Sequence, residues 1–149
     1  MNFRWETLSF RELDIDRLYT AMRLRQAVFV VEQACTYLDM DGLDQDSMHM
    51  FCWRGDELLA YQRCLPPGLG FAESALGRIV VAAEGRGLQL GRELVQRGID
   101  HNLSNWPGSN IRIGAQSHLA AFYTSLGFTA VGAEYIEDGI PHLHMIRLA

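Results

Sequence analysis

Apolar and polar residues recur along this chain at two periods, and the switches between them divide it into elements. Phe3, Trp5 and Thr7 alternate with Arg4 and Glu6, which predicts a short first strand. Asp14 or Asp16 can cap a following helix whose apolar positions include Leu18, Met22, Val28 and Phe29 and which ends near Glu32. Residues 34–47 carry Asp39, Asp41, Asp44 and Asp46 and predict a loop or a broken second helix. Two runs, 48–53 and 58–65, suit a hairpin around Arg54-Gly55-Asp56-Glu57, and Pro66-Pro67-Gly68 stops the second of them. A fourth strand covers 76–81 and a fifth 111–115. Between them an apolar rhythm of Leu88, Val95 and Ile99 marks a helix. A further helix over 118–126 is capped by Gly127, and strands over 129–137 and 142–148 turn at Asp138-Gly139.

This order predicts an α/β domain with a mixed, mostly antiparallel central sheet and helices on both faces. The fourth and fifth strands flank a crossover helix and should run parallel. Ligands in such sheets lie beyond the carboxyl ends of strands, which draws attention to the turn after the fourth.

That turn contains Gly85, Gly87 and Gly91 alternating with Arg86 and Arg92, and a helix starts there. The first turn of a helix offers unpaired N–H groups and a positive dipole end, glycines allow close approach, and guanidinium groups stay charged, so the local chemistry suits a phosphate or pyrophosphate. A P-loop is excluded because no lysine is present. The dinucleotide fingerprint fails because Gly87 is followed by Gly91, one residue too far.

The 149 residues predict one domain, 1–149. A formal charge of −5 argues against a general nucleic-acid or anionic-membrane binder. Three cysteines, Cys35, Cys52 and Cys64, show no paired spacing, so neither a disulfide framework nor a zinc site is expected. With no signal-like segment and no membrane-length apolar run, a cytoplasmic location is expected.

Arg86-x-x-Gln89-x-Gly91 resembles the coenzyme A loop of the GNAT acetyltransferase superfamily, with Gln89 where a central glycine is common. Further segments extend the resemblance over nearly the whole chain and towards the ElaA-type branch. They are Leu24-Arg25-Gln26-Ala27-Val28-Phe29-Val30-Val31-Glu32-Gln33, Asp41-Gly42, Gly77-Arg78-Ile79-Val80-Val81, Ala115-Gln116-Ser117-His118-Leu119, Phe122-Tyr123, Leu126-Gly127-Phe128 and Glu137-Asp138-Gly139-Ile140-Pro141-His142. The resemblance implies a GNAT-like sheet with splayed fourth and fifth strands. It also implies acetyl-coenzyme A as co-substrate and a primary amine as acceptor. The pantetheine arm would meet Ile79, Val80 and Val81, and the pyrophosphate would meet Arg86, Gly87, Leu88, Gln89, Leu90, Gly91 and Arg92. Gln116 takes a place often held by asparagine near the pantetheine. Phe122 precedes Tyr123, which matches the family's tyrosine. A phenol near its ordinary pKa is protonated at neutral pH and can serve a departing thiolate, so Tyr123 is the candidate general acid.

An attacking amine must be deprotonated, and Glu32, His49, His118 and His142 are the candidates on the acceptor side, with Glu32 also the candidate catalytic carboxylate. His49 and His142 also have a structural reading as hydrogen-bonded rings, and Glu32 as a solvent-facing helix terminus. The His142-x-His144 spacing puts two imidazoles on one face of a strand, but no third ligand is near in sequence and no metal is expected. The acidic run fails the EF-hand template. It could attract a cationic amine by its field or simply be solvated. Arg25, Arg63 and Arg78 lie in apolar surroundings, where ion pairing with that run and contact with a substrate carboxylate both stay open.

The function expected from all this is direct acetyl transfer in a ternary complex, without covalent passage through a cysteine, since none lies in the matched catalytic segments. A non-catalytic acyl-coenzyme A binding or sensing module is the alternative. The acceptor is left open among small amines and peptides, and a homodimer is compatible with the chain.

Overall fold

A computed structural model describes residues 2–149. Strands β1 (Arg4–Ser9), β2 (Met48–Arg54), β3 (Glu57–Leu65), β4 (Ser74–Val81), β5 (Ile111–Gln116), β6 (Thr129–Glu137) and β7 (Ile140–Arg147) form one sheet ordered β1-β2-β3-β4-β5-β7-β6. Only β4 and β5 pair in parallel; the other neighbours are antiparallel. Helices α1 (Ile15–Arg25), α2 (Leu90–Asn105) and the short α3 (Ala120–Thr124) cover its faces.

Period-two alternation sends neighbouring side chains to opposite sides of the sheet. Along β2, Met50 and Cys52 join a core beneath α2 and α3 that includes Leu94, Val95, Ile99, Ile113, Tyr123 and Phe128. Phe51 and Trp53 join a second core with Ala21, Val28, Tyr61 and Val80 beneath α1. The predicted two-sided sheet is therefore observed.

Asp14 caps α1 by accepting from the Arg17 N–H at 2.7 Å. The rod then continues as a wider π-helical segment, Gln26–Glu32, and closes with Gln33 N–H donating to the Val28 carbonyl five residues back. Residues 34–47 are a loop with one 3-10 turn at Asp44–Asp46, which resolves the loop-or-helix alternative.

That loop is fixed by charge. Arg25 donates to Asp39 Oδ2 at 2.8 Å and to Asp44 Oδ1 at 2.7 Å. Arg63 bonds both Asp41 and Asp44. Arg78 contacts Asp39 Oδ1 at 2.9 Å and Asp41 Oδ2 at 3.3 Å. Each aspartate thus bridges two arginines and each arginine two aspartates, a closed ring in the order Arg25, Asp39, Arg78, Asp41, Arg63, Asp44. The expectation that this acidic run acts as a free attractive field is corrected: three of its four carboxylates are consumed by guanidinium groups. Contact of those arginines with a substrate carboxylate loses its basis for the same reason.

Burial opposes the charged forms of Asp41 and Asp44, but the arginines overcome it and hold both carboxyls below the usual carboxylate range. A depressed folded-state pKa means that the unfolded chain binds protons first. The ring's stabilisation is therefore complete above about pH 4, the unfolded aspartate value, and is lost as pH falls through the folded values. Asp44→Asn, which leaves buried Arg25 and Arg63 short of a counter-charge, is expected to cost about 3–5 kcal/mol and to flatten this acid dependence. Urea unfolding as a function of pH measures both. Independently, a Cβ at Gly98 would collide with the buried Gln62 amide, which is fixed by donating to the Leu94 carbonyl at 2.6 Å. Gly98→Ala should then destabilise by about 1–3 kcal/mol, despite alanine's better helix propensity.

Candidate active site

Strands β4 and β5 stay together only at Ser74–Ile111 and Ala75–Arg112 and then diverge. Opposite Gln62 of β3, strand β4 holds two residues, Arg78 and Ile79, because Tyr61 pairs with Val80 while Arg63 pairs with Gly77. This bulge bends β4 away. Arg78 sits in it at φ +49°, in the left-handed region that non-glycine residues avoid.

The divergence opens a cleft of about 440 Å³. Leu76, Gly77, Arg78 and Ile79 form one wall, and Ile113, Gly114, Ala115 and Gln116 the other. Tyr123 and Leu119 close it on the α3 side. Phe29, Gln33, Cys35, Tyr37 and Asp41 reach it from the end of the first helix and the loop, and Glu137, Asp138, Ile140 and His142 from the β6–β7 turn.

Tyr123 is 6% exposed, stacks edge-on against Phe122 and Phe128, and its hydroxyl has no hydrogen-bond partner among the described residues. Burial alone pushes its pKa up to about 12, so it keeps its proton. Gln116 donates to Gln33 Oε1 at 3.3 Å across the cleft.

At the mouth lies the glycine loop. Among the described residues, no acceptor is found for the backbone N–H groups of Gly87, Leu88, Gln89, Leu90, Gly91 or Arg92; the ladder of α2 starts with Glu93 N–H donating to the Gln89 carbonyl. Gly87 has φ +81° and Gln89, the N-cap of α2, φ +59°. Position 89 thus adopts the conformation that glycine takes without cost. Arg92 is tied to the Ser125 hydroxyl at 2.8 Å, and Arg86 to Glu32 at 2.8 Å. Six free N–H groups at a helix start, two arginines and a cleft leading inward fit a diphosphate attached to an extended arm.

The candidate acceptor residues separate sharply. His142 is brought to the cleft. Its Nδ1 lies 2.7 Å from the Ile140 carbonyl, which can only accept, so in the neutral ring the hydrogen is on Nδ1 and Nε2 keeps its lone pair. Glu137 Oε2 stands 3.6 Å from that Nε2. His49 is not brought there: it is fully buried, with Nε2 2.8 Å from the Asp44 carbonyl and Nδ1 2.6 Å from the Tyr61 hydroxyl, and burial lowers its pKa. Its acceptor role is corrected to a structural one, because both nitrogens are occupied and no face is open. Glu32 is exposed and lies against the glycine loop through Arg86, outside the cleft lining. His118 is exposed and does not line the cleft either. His144 shares a face of β7 with His142, and both rings stack on Tyr135. No group of three metal-ligating side chains occurs among the described residues.

Of the cofactor candidates, Ile79 and Gln116 line the cleft, Val80 points its side chain into the core under α1, and Val81 packs beside Gly85 and Gly91. Several lining residues escaped sequence reasoning. Cys35 lines the cleft, its Sγ 3.5 Å from the Asp138 carbonyl, whereas Cys52 and Cys64 are core thiols with pKa values raised by burial. Gln33, Tyr37 and Phe29 belong to the first helix and its loop, where only the matched segment ending at Gln33 hinted at a role. Glu137 and Asp138 lay in a matched segment too.

Residues 18–148 match the model of the Acetyltransferase (GNAT) domain. Protein ElaA of Escherichia coli K12 is 41% identical over 96% of this chain and 95% of its own. The crystal structure of Escherichia coli ElaA superposes with a TM-score of 0.92 at 40% identity, covering 98% of this chain and 99% of that one. An acyl-CoA N-acyltransferase from Pseudomonas aeruginosa gives 0.94 at 38% identity, with 98% and 99% covered. With the splayed strands and the open helix start, these likenesses mean that the chain belongs to the GNAT acetyltransferase family, whose chemistry is acyl transfer from coenzyme A.

Proposed function

We propose that this protein transfers an acetyl group from acetyl-coenzyme A to a primary amine, directly and in one ternary complex, inside the β4–β5 cleft. The observation that carries the reading is the Tyr123 hydroxyl: inside the cleft, protonated and without a partner among the described residues. A donor that faces a cleft and has no partner there is available to a ligand.

When bound, acetyl-coenzyme A supplies the thioester that the amine attacks. The chain's residues do the rest. Gly87, Leu88, Gln89, Leu90, Gly91 and Arg92 hold the diphosphate through backbone N–H groups at the positive end of α2, and Arg86 adds charge once it exchanges Glu32 for phosphate oxygen. In this reading the pantetheine arm runs along the β4 backbone from Ile79, on the cleft wall, towards Val80 and Val81, with Gln116 on the opposite wall. Tyr123 gives its proton to the sulfur that leaves. His142 receives the amine's proton at Nε2, where the Glu137 carboxylate meets the charge that forms. Glu32, first considered for that task, serves the donor side through Arg86.

Tyr123→Phe is expected to lower kcat on the order of 100-fold, with KM for acetyl-coenzyme A changed only a few-fold; full turnover would remove the general-acid role. Release of free thiol on a panel of amines, polyamines and peptide N-termini provides the assay. Saturable binding without release on any of them would favour the sensing module instead. The pH profile offers a separate check. An ordinary tyrosine would bring a falling limb near pH 10, as the phenolate loses its donor. Tyr123, held at about 12, should keep kcat level to about pH 11 once the acceptor amine is neutral.

A further inference from the structure

The ring of three arginines and three aspartates reaches the cleft through Arg78 and Asp41, and of its arginines only Arg78 lines it. Arg25 and Arg63 are buried, and the ion pairs of their guanidinium groups all run to the loop. Arg78 differs in two ways that are independent of each other. Its backbone is the left-handed residue of the β4 bulge, and its side chain crosses to the loop, donating to the Asp39 carbonyl at 2.9 Å and contacting the carboxylates of Asp39 and Asp41. The Tyr37 ring lies 5.8 Å from the guanidinium carbon and lines the same cleft.

A left-handed conformation is unfavourable for an arginine by roughly 1–2 kcal/mol and persists only where surroundings over-determine it. Glycine would meet the backbone requirement without penalty, so a side chain here needs another reason. The reason visible in the structure is the tether: Arg78 connects the bulge, which separates β4 from β5, to a loop that the rest of the ring holds rigid. Two carboxylates already neutralise its charge, so it is not built to recruit an anion.

We propose that Arg78 is a positioning residue for the transfer reaction: its link to Asp39 and Asp41 sets the bulge at Arg78 and Ile79, and thereby the β4 wall against which the thioester is aligned with Tyr123 and the incoming amine. The inference rests on the β4–β5 cleft being the acyl-coenzyme A site. A tether of this kind affects alignment of reacting groups more than ground-state binding, and a misplacement of about 1 Å is worth up to 100-fold in rate.

The test compares Arg78→Gly, which relieves the strained φ and removes the tether, with Arg78→Lys, which keeps the charge but cannot bridge two carboxylates in the planar fork geometry. Binding of acetyl-coenzyme A, kcat, KM for each substrate and thermal unfolding are measured on the full chain. Both variants are expected to fold, to bind acetyl-coenzyme A within about 3-fold of the parent, and to lose kcat on the order of 10- to 100-fold. Wild-type kcat in Arg78→Gly would show that backbone conformation suffices, and wild-type kcat in Arg78→Lys that charge suffices; either overturns the tether. A weaker acetyl-coenzyme A affinity with unchanged kcat would overturn it too, by making Arg78 a binding residue. If the parent protein itself failed to bind acetyl-coenzyme A, the reading of the cleft would fall, a result distinct from any of these.

Discussion

Buried charges have to find partners, and in this protein that requirement shapes the half of the molecule around the 34–47 loop. Arg25 ends α1, Arg63 lies in β3 and Arg78 in β4, three elements that local pattern alone would not bring to one point. Asp39, Asp41 and Asp44 of a single loop close them into a ring with no net charge. The geometry leaves no member with a single partner, so the loop has little freedom once the sheet is formed. A ring of this kind is weak evidence for gross stability, because well-packed apolar groups could do as well. What it provides is a defined loop path: Tyr37 and Asp41 stand at the cleft because the neighbouring carboxylates are committed.

The opposite requirement governs the half around the glycine turn and the cleft. There polar groups are left without partners: the six N–H groups before Glu93, and the Tyr123 hydroxyl. Parallel pairing of β4 with β5 stops after two residue pairs, and the bulge at Arg78 and Ile79 turns β4 away from β5 beyond them. Such groups would be costly in a dry core. At a cleft open to solvent they are tolerated by water and are ready for a ligand with acceptor oxygens. The two halves thus use one electrostatic rule in opposite senses, satisfying every charge where rigidity matters and leaving donors free where a ligand enters.

Much of this was legible in the chain. Alternation and helical spacing predict all seven strands and the three helices within a few residues, and the parallel pair follows from the crossover helix. Tyr123 and Gln116, marked by the family resemblance, line the β4–β5 cleft, and the glycine turn precedes α2 as its local sequence predicts. What sequence could not supply are relations between distant segments. Nothing near Glu32 points to Arg86, fifty-four positions away. Nor does the neighbourhood of His49 reveal that Tyr61 and the Asp44 carbonyl occupy its ring. The arginines were marked by their apolar surroundings, and the acidic run by its charge, but which would pair with which depends on the strand register. Cys35 was passed over because its segment matched nothing catalytic, whereas its place at the cleft comes from the turn that follows the π-helical segment.

Positive φ angles outside glycine are the least legible feature, since no propensity scale anticipates an arginine or glutamine in that region. Arg78 and Gln89 both adopt it, and both lie where the coenzyme A site is proposed. The compensation differs. At Arg78 a ring of ion pairs holds the residue from its side chain. At Gln89 the side chain is exposed, and the hold comes from its sequence neighbours: Leu90 is buried in the core under α2, Leu88 packs against the same core, and Gly91 stands beside Val81 of β4. Anchoring on both sides fixes the peptide planes before and after residue 89. The turn keeps a conformation that glycine adopts freely, so the six N–H groups stand together at the start of α2, with an amide side chain added at the cleft mouth.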